Sequence, residues 1–402
     1  MRHRKIAVAL ALAAPLALTA CSGTSAPAAV PSPPSSTTAT VYRWGVPGSS
    51  GAFKQLERTT PTAVTGIQGK VVQIATSNSD SYALTSSGAV WAWGVDNYGE
   101  LGNGTARDDS VSAVRVRFPK GVRIVSLPDP MPFDGALAID STGHAWGWGL
   151  NVSGDLCLPT LSGLPASVEI RPARLPLTDV TLATGARGHS LFYAGGTVYA
   201  CGSGTDGALG NGSTANSSKP VPVAGLPTGT RVTALTSSWN GSGALLASGA
   251  YYDWGYNAAG QLGDGGTGTN SDMPVQVKLP SAVRQVFQGG SGKTNGQTIA
   301  ILADGSVWTW GANKSGQLGN GTTTSSDVPV AVHVPAGVTF VTVNSGGYAS
   351  YAIDSQGRLW AWGGNDYGQL GTGTSAPLTT TPVDVGTHLT QVSSTARNVA
   401  GF

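Results

Sequence analysis

The 402-residue sequence predicts an all-β fold, a seven-bladed β-propeller closed by its own two ends, and three observations carry that prediction. An aromatic residue, one spacer and Trp-Gly or a stand-in recur seven times at a nearly constant interval. The 58 glycines and a charged fraction of only 11% describe a turn-rich chain, long enough to bury a large core. Apolar residues alternate with a period of two, and helical periodicity is not evident beyond the first twenty residues.

In chain order, the first element is a targeting segment. Arg2, Arg4 and Lys5 form a basic start, Ile6 to Leu18 an apolar stretch too short to span a bilayer comfortably, and Leu18-Thr19-Ala20-Cys21 follows. These four residues resemble the lipobox of bacterial lipoprotein signal peptides. The resemblance implies cleavage before Cys21 and a diacylglycerol on its sulfur, whereas an ordinary secretory peptide would share everything but the cysteine. The expectation is a signal peptide over 1–20 and an extracytoplasmic chain held to the membrane through Cys21. Loss of the three cations leaves twenty Lys+Arg against 21 Asp+Glu, a mature net charge of −1. A near-neutral chain without a basic run lacks the electrostatic footprint of a nucleic-acid binder. Residues 21–40, dense in Ser, Thr, Pro and Ala, read as an extended tether to a domain over 41–402.

The landmarks of that domain are Trp44, Trp93, Trp148, Cys201, Trp254, Trp310 and Trp362, at intervals of 49, 55, 53, 53, 56 and 52 residues. A period in this range marks one small sheet or propeller blade per repeat. The residue two before each landmark is Tyr or Trp, and period-two geometry puts both on one side of their strand. Ten of the eleven tryptophans fall in this stripe, which makes it core packing rather than a stacking platform for bases or sugars.

The repeat from Gly69 to Lys120 shows the unit. Val71 to Ala75 is a first strand, Ser77 to Ser81 a loop, and Tyr82 to Thr85 a second strand. Ser86-Ser87-Gly88 turns the chain into Val90-Trp91-Ala92-Trp93, and a polar stretch leads on to Val114-Arg115-Val116. The result is a three- to four-stranded antiparallel meander, one blade.

After the third strand a second motif recurs, as Ala259-Gly260-Gln261-Leu262-Gly263, Ser315-Gly316-Gln317-Leu318-Gly319 and Tyr367-Gly368-Gln369-Leu370-Gly371. Weaker forms are Gly207-Ala208-Leu209-Gly210 and Gly154-Asp155-Leu156-Cys157, and a Pro-Val step follows at Pro274, Pro329 and Pro382. Together these residues resemble the regulator-of-chromosome-condensation repeat, over 41–402. The resemblance implies a seven-bladed propeller and says little of function, because one fold hosts many functions.

The ends imply how the ring closes. Leu389 to Ser393 matches a first strand and Asn398 to Phe402 a second, while Val41 to Trp44 supplies the missing third. The first blade is therefore expected to be composite. With Cys21 acylated, Cys157 and Cys201 remain in neighbouring repeats; they read either as a disulfide in an oxidising compartment or as two buried thiols standing where other repeats have Gly and Trp.

Motifs for chemistry fail on context. Gly202-Ser203-Gly204-Thr205-Asp206-Gly207 imitates a dinucleotide fingerprint, and Gly290-Ser291-Gly292-Lys293-Thr294 the end of a phosphate loop, but no helix pattern follows either. His144, His189, His333 and His388 are scattered, with no metal-ligand spacing and no triad order. His189 reads as structural, and Asp264, Asp272 and Asp304 as solvated turn residues without the spacing of a calcium loop. No catalytic residue, cofactor or metal is expected.

Recognition remains. In a meander, the loops joining strands one and two and those joining strands three and four emerge on the same edge. The first set carries Asp80, Phe133 with Asp134, Arg187, Trp239 with Asn240, Lys293, Tyr348 and Arg397, and the second Tyr98, Tyr256 and Tyr367. Trp239 is the one tryptophan outside the stripe, read either as a binding hot spot or as a ring folded back over the rim. Secreted bacterial propellers of the same repeat family include a β-lactamase inhibitor with aromatics in comparable loops, where Phe133, Trp239 and Tyr348 fall here. The expected function is a monomeric, non-enzymatic scaffold that binds a protein or cell-envelope ligand. The alternatives are guanine-nucleotide exchange, as in the family namesake, or inhibition of a β-lactamase.

Overall fold

A computed structural model describes residues 40–45, 58–159, 166–290, 292, 294–374, 376–395 and 398–402. The signal peptide, Cys21, residues 21–39 of the tether, Lys293 and Arg397 lie outside the described residues. Within the unit Thr38–Phe402 the strands form seven four-stranded antiparallel sheets. Six are simple meanders in chain order, as the alternation of strand and glycine turn dictates.

The composite sheet closes the ring as expected. Tyr42–Gly45 pairs antiparallel with Asn398–Gly401, Tyr42 opposite Gly401 and Trp44 opposite Val399, and Arg58–Ala63 adds the outer strand. Val392–Ser394 is the inner strand. Gln391 then ties this blade to the next, for its Nε2 donates to the Ile74 carbonyl at 2.9 Å and its Oε1 accepts from the Ile74 N–H at 3.0 Å.

Burial grades outward across each blade. Second strands such as Asp80–Thr85 and Gln297–Leu302 are wholly buried, because both faces of each sheet meet a neighbouring sheet. Outer strands such as Ser271–Gln276 are half-exposed. The apolar clusters lie in the seams: Phe287, Ile299 and Ile301 of one blade pack with Phe340, Trp360 and Trp362 of the next.

The two repeated motifs meet at those seams. The indole nitrogen of Trp362 donates to the carbonyl of Gln317 in the preceding blade at 2.9 Å, and Trp44 does the same to Gln369 at 2.9 Å, Trp254 to Ala208 at 3.0 Å and Trp148 to Glu100 at 2.8 Å. The last glycine of the motif lies under the ring. A Cβ on Gly319 would come within 2.5 Å of the Trp362 indole nitrogen, and Gly319 has φ of +68°, so sterics and backbone both demand glycine. The motif glutamine holds its own turn, since Oε1 of Gln317 and Gln369 accepts the N–H two residues earlier, at 2.9 Å in both.

The fourth blade lacks the tryptophan, and there the structure resolves the reading of the cysteines in favour of a disulfide. Cys157 is bonded to Cys201 with a Cα–Cα separation of 5.4 Å. Cys157 adopts the same left-handed turn as the glycines it replaces, with φ of +54°.

Candidate binding face at the mouth of the central channel

Both loop sets share one face. Asn240, after an inner strand, donates to Asp206 of a strand-three-to-four loop at 2.7 Å, and Gln317 of such a loop donates to the Gly347 carbonyl at 3.0 Å. The inner strands end around a central channel on this side.

A loop from the third blade fills part of that channel. Its inner strand, Ile124–Ser126, is only three residues long, and the chain then runs inward over 127–134. The Asp129 carboxylate accepts from Ser393 Oγ at 2.7 Å and from Asn344 Nδ2 at 3.2 Å, on the first and seventh blades. Met131 N–H bonds the Thr76 carbonyl at 3.2 Å, and the Pro130 carbonyl accepts from Gly185 at 3.1 Å. The loop thus touches four other blades. Above it stays a small cavity of about 40 Å³, open to solvent and lined among others by Asn78, Met131, Phe133, Arg187, Gln288 and Ser345.

Three predicted residues come together at the rim of this cavity. The Arg187 guanidinium lies 3.9 Å from the ring centroid of Trp239 and 5.3 Å from that of Phe133. The two rings stand edge to face at 6.5 Å. Trp239 is half-buried and packed against Arg187 and Phe133, its loop fixed by a bond from its N–H to the Gly290 carbonyl at 3.0 Å. Among the described residues the guanidinium makes no hydrogen bond or ion pair. Stacking fixes its plane and leaves its N–H edge for a ligand.

The other predicted residues are placed differently. Asp80 is a correction: it begins a strand rather than standing in a displayed loop, it is fully buried, and its Oδ2 accepts from Ser77 Oγ at 2.8 Å. A carboxylate there cannot reach a partner on the surface. Tyr348 and Tyr98 are exposed at 36% and 41%, so both can meet a partner, but neither lines the cavity. Tyr256 and Tyr367 are half-buried, and Tyr256 borders a separate depression with Lys314 and Asp327.

Two features of the site were missed in the sequence. Gln288 borders the cavity, is 2% exposed, donates to Asp253 Oδ1 at 2.7 Å, and has a buried Oε1 without a hydrogen-bond partner. Asp129 on the channel loop is the second. The available signal was the length of 127–134 against the corresponding loops 77–79 and 186–188 of the two neighbouring blades.

Burial shapes the electrostatics of this face. It pushes Asp134 up to about 6 against the opposing charge of Arg187, and Asp129 up to about 7 against its bonds from Ser393 and Asn344. It pushes Glu100 up to about 8 and raises Asp80 well above the usual carboxylate range, with Glu100 adding to the effect on Asp80. His189 is fully buried, with Nε2 2.8 Å from Ser242 Oγ in the next blade, and burial lowers it to about 4, so it is neutral at physiological pH. Among the described residues no group of three His, Cys, Asp or Glu is placed to hold a metal ion.

A closed ring of seven four-stranded blades, six with aromatic-x-Trp-Gly and one with Cys201 in place of the tryptophan, defines a β-propeller. The particular family is shown by sequence: the profile of the "Regulator of chromosome condensation (RCC1) repeat" matches residues 87–127, 195–245, 248–292, 304–353 and 356–399, and the chain belongs to that family. A second profile of the same repeat matches 340–369. The chain is 28% identical over 342 residues to the ultraviolet-B receptor UVR8 of Arabidopsis thaliana, covering 83% of this chain and 75% of that protein. It is 27% identical over 313 residues to the mouse E3 ubiquitin-protein ligase HERC2, covering 76% of this chain but only 6% of that protein. Among solved structures, human WBSCR16 superposes with a TM-score of 0.78 at 20% identity over 90% of this chain and 98% of that one. Prp20p of Saccharomyces cerevisiae, whose structure was described with its binding to Gsp1p and histones, gives a TM-score of 0.75 at 20% identity over 90% of both chains. These two likenesses show the fold.

Proposed function

We propose that this protein is a non-catalytic scaffold that binds a protein partner through the face bearing the channel mouth. The convergence of Phe133, Arg187 and Trp239, from the loops of three successive blades, into one cation–π stack carries the reading. Aromatic and arginine side chains held rigid at a cavity rim are the composition of a binding hot spot. Tyr348 and Tyr98 would extend the contact outward.

The same proposal places the propeller outside the cytoplasm, as a monomer anchored through lipidated Cys21. The disulfide between Cys157 and Cys201 supports an oxidising compartment. Crosslinking on intact cells, followed by mass spectrometry of what copurifies, tests the binding role. The double variant F133A/W239A should lose the crosslinked partner while melting like the wild type, and undiminished crosslinking would remove the site assignment. Accumulation of an unprocessed precursor under globomycin, and in C21A without the drug, tests the anchor.

A further inference from the structure

We propose that the channel mouth takes an acidic side chain carried on an extended segment of the partner, its carboxylate seated on the N–H edge of Arg187 and a main-chain N–H donated to Gln288 Oε1. The inference rests on the protein-binding reading and names what that site recognises. The cavity offers two unmet polar groups of opposite kind. Arg187 is stacked on Trp239 at 3.9 Å and on Phe133 at 5.3 Å, and among the described residues its donors are unpaired. Gln288, 2% exposed, directs its amide nitrogen to Asp253 at 2.7 Å, which fixes the oxygen as the free end. A buried acceptor without a partner is costly, and a ligand donor that reaches it gains more than an exposed one would.

A ligand that meets both groups carries an anion and an N–H donor within one short stretch, as a peptide with an aspartate or glutamate does. A guanidinium fork matches carboxylate and phosphate alike. Charge separates them. Among the described residues lining the cavity Arg187 is the only cation, and Asp134 lies close enough to feel its charge, so a doubly charged phosphate meets more repulsion there than a singly charged carboxylate. The remaining lining is small and uncharged, with Gly185, Gly289, Gly290 and Gly346 leaving room for a main chain.

Panning a library of linear heptapeptides on the full chain, in parallel with R187Q and with F133A/W239A, tests this directly. Wild type should enrich peptides containing Asp or Glu, and a synthetic winner should bind at least about tenfold more weakly when that residue is changed to Asn or Gln. R187Q should lose the acidic preference, R187K should keep part of it, and Q288L should weaken the same peptide. Winners without acidic residues, acidic winners that bind R187Q undiminished, or full displacement by millimolar inorganic phosphate would each overturn the inference. If enrichment is non-acidic yet abolished in F133A/W239A, the binding face stands and only its chemistry is wrong. If F133A/W239A retains every winner, both fall.

Discussion

Cys157 and Cys201 form a covalent bond at the one blade junction, among the described residues, where no motif glycine lies under a tryptophan. At five other junctions the motif glycine would place a Cβ within 3.0 Å of an indole, from Gly102 under Trp148 to Gly371 under Trp44. The two cysteines are thus a paired replacement, in which a disulfide does the work of a packed ring. Both members must change together, since a side chain at the glycine position excludes the indole.

The pair predicts a non-additive cycle. Reduction, or C157S/C201S, should lower stability by about 2–4 kcal/mol, as expected for a bridge closing a loop of this length. C201W alone should be worse, because the Cys157 side chain occupies the space of the ring. C157G/C201W should recover much of the loss, and denaturant midpoints of the four chains would measure the coupling.

Gly319 tests the seam elsewhere. G319A should cost about 2–4 kcal/mol, combining a left-handed backbone with overpacking against Trp362. Gly305 has φ of +84° but nothing within 4 Å of a Cβ. G305A should therefore cost only about 1 kcal/mol, the backbone part alone. Equal losses in calorimetry would mean that the indole yields at little cost.

Ring closure rests partly on Gln391. Q391A removes both bonds to Ile74, leaves the Ile74 groups without those partners and should cost about 1–3 kcal/mol. Hydrogen exchange should then quicken first in Asn398–Gly401 and Tyr42–Gly45, the strands that join the two ends, ahead of the other blades.

Stability should rise on mild acidification. Burial raises Asp96 and Asp134 to about 6, Asp129 to about 7 and Glu100 to about 8 in the folded state. Unfolded carboxylates titrate near 4, so above that pH the folded chain holds more protons, and its stability falls as pH rises toward 8. Asp140 and Asp354 act in the opposite sense. Although burial opposes it, bonds from Thr142 and Trp146 hold Asp140 at about 2, and bonds from Trp360 and Arg358 hold Asp354 at about 2. Their contribution is lost only as pH falls below about 4. The melting temperature should therefore peak between roughly pH 4 and 5. Glu100 stands where other blades have Gln, and its Oε2 makes the same turn bond, to Tyr98 N–H at 2.6 Å. E100Q should keep that bond without the cost of ionisation, raising stability at pH 8 by about 1 kcal/mol or more and flattening the melting profile.

Blade number, strand order, the composite first blade and the buried aromatic stripe were all legible in the sequence. Each follows from local rules: period two sets the faces of a strand, glycine sets the turn, and a 50-residue recurrence repeats the answer. Even the cysteines stood visibly at the Gly and Trp positions, although only the folded chain shows that they bond. Loop residues were read less well. Asp80 looked displayed because it follows a polar turn, but the strand begins two residues earlier than alternation suggested and draws the carboxylate inward. Tertiary structure alone decided that Phe133, Arg187 and Trp239, each some fifty residues from the next, share one stack, that 127–134 enters the channel, and that Gln288 borders the cavity with a buried, unbonded oxygen. The reason is geometric: a repeat fixes each blade by its own residues, whereas the channel mouth exists only once seven blades curve into a ring, and what meets there depends on that curvature and not on any local pattern.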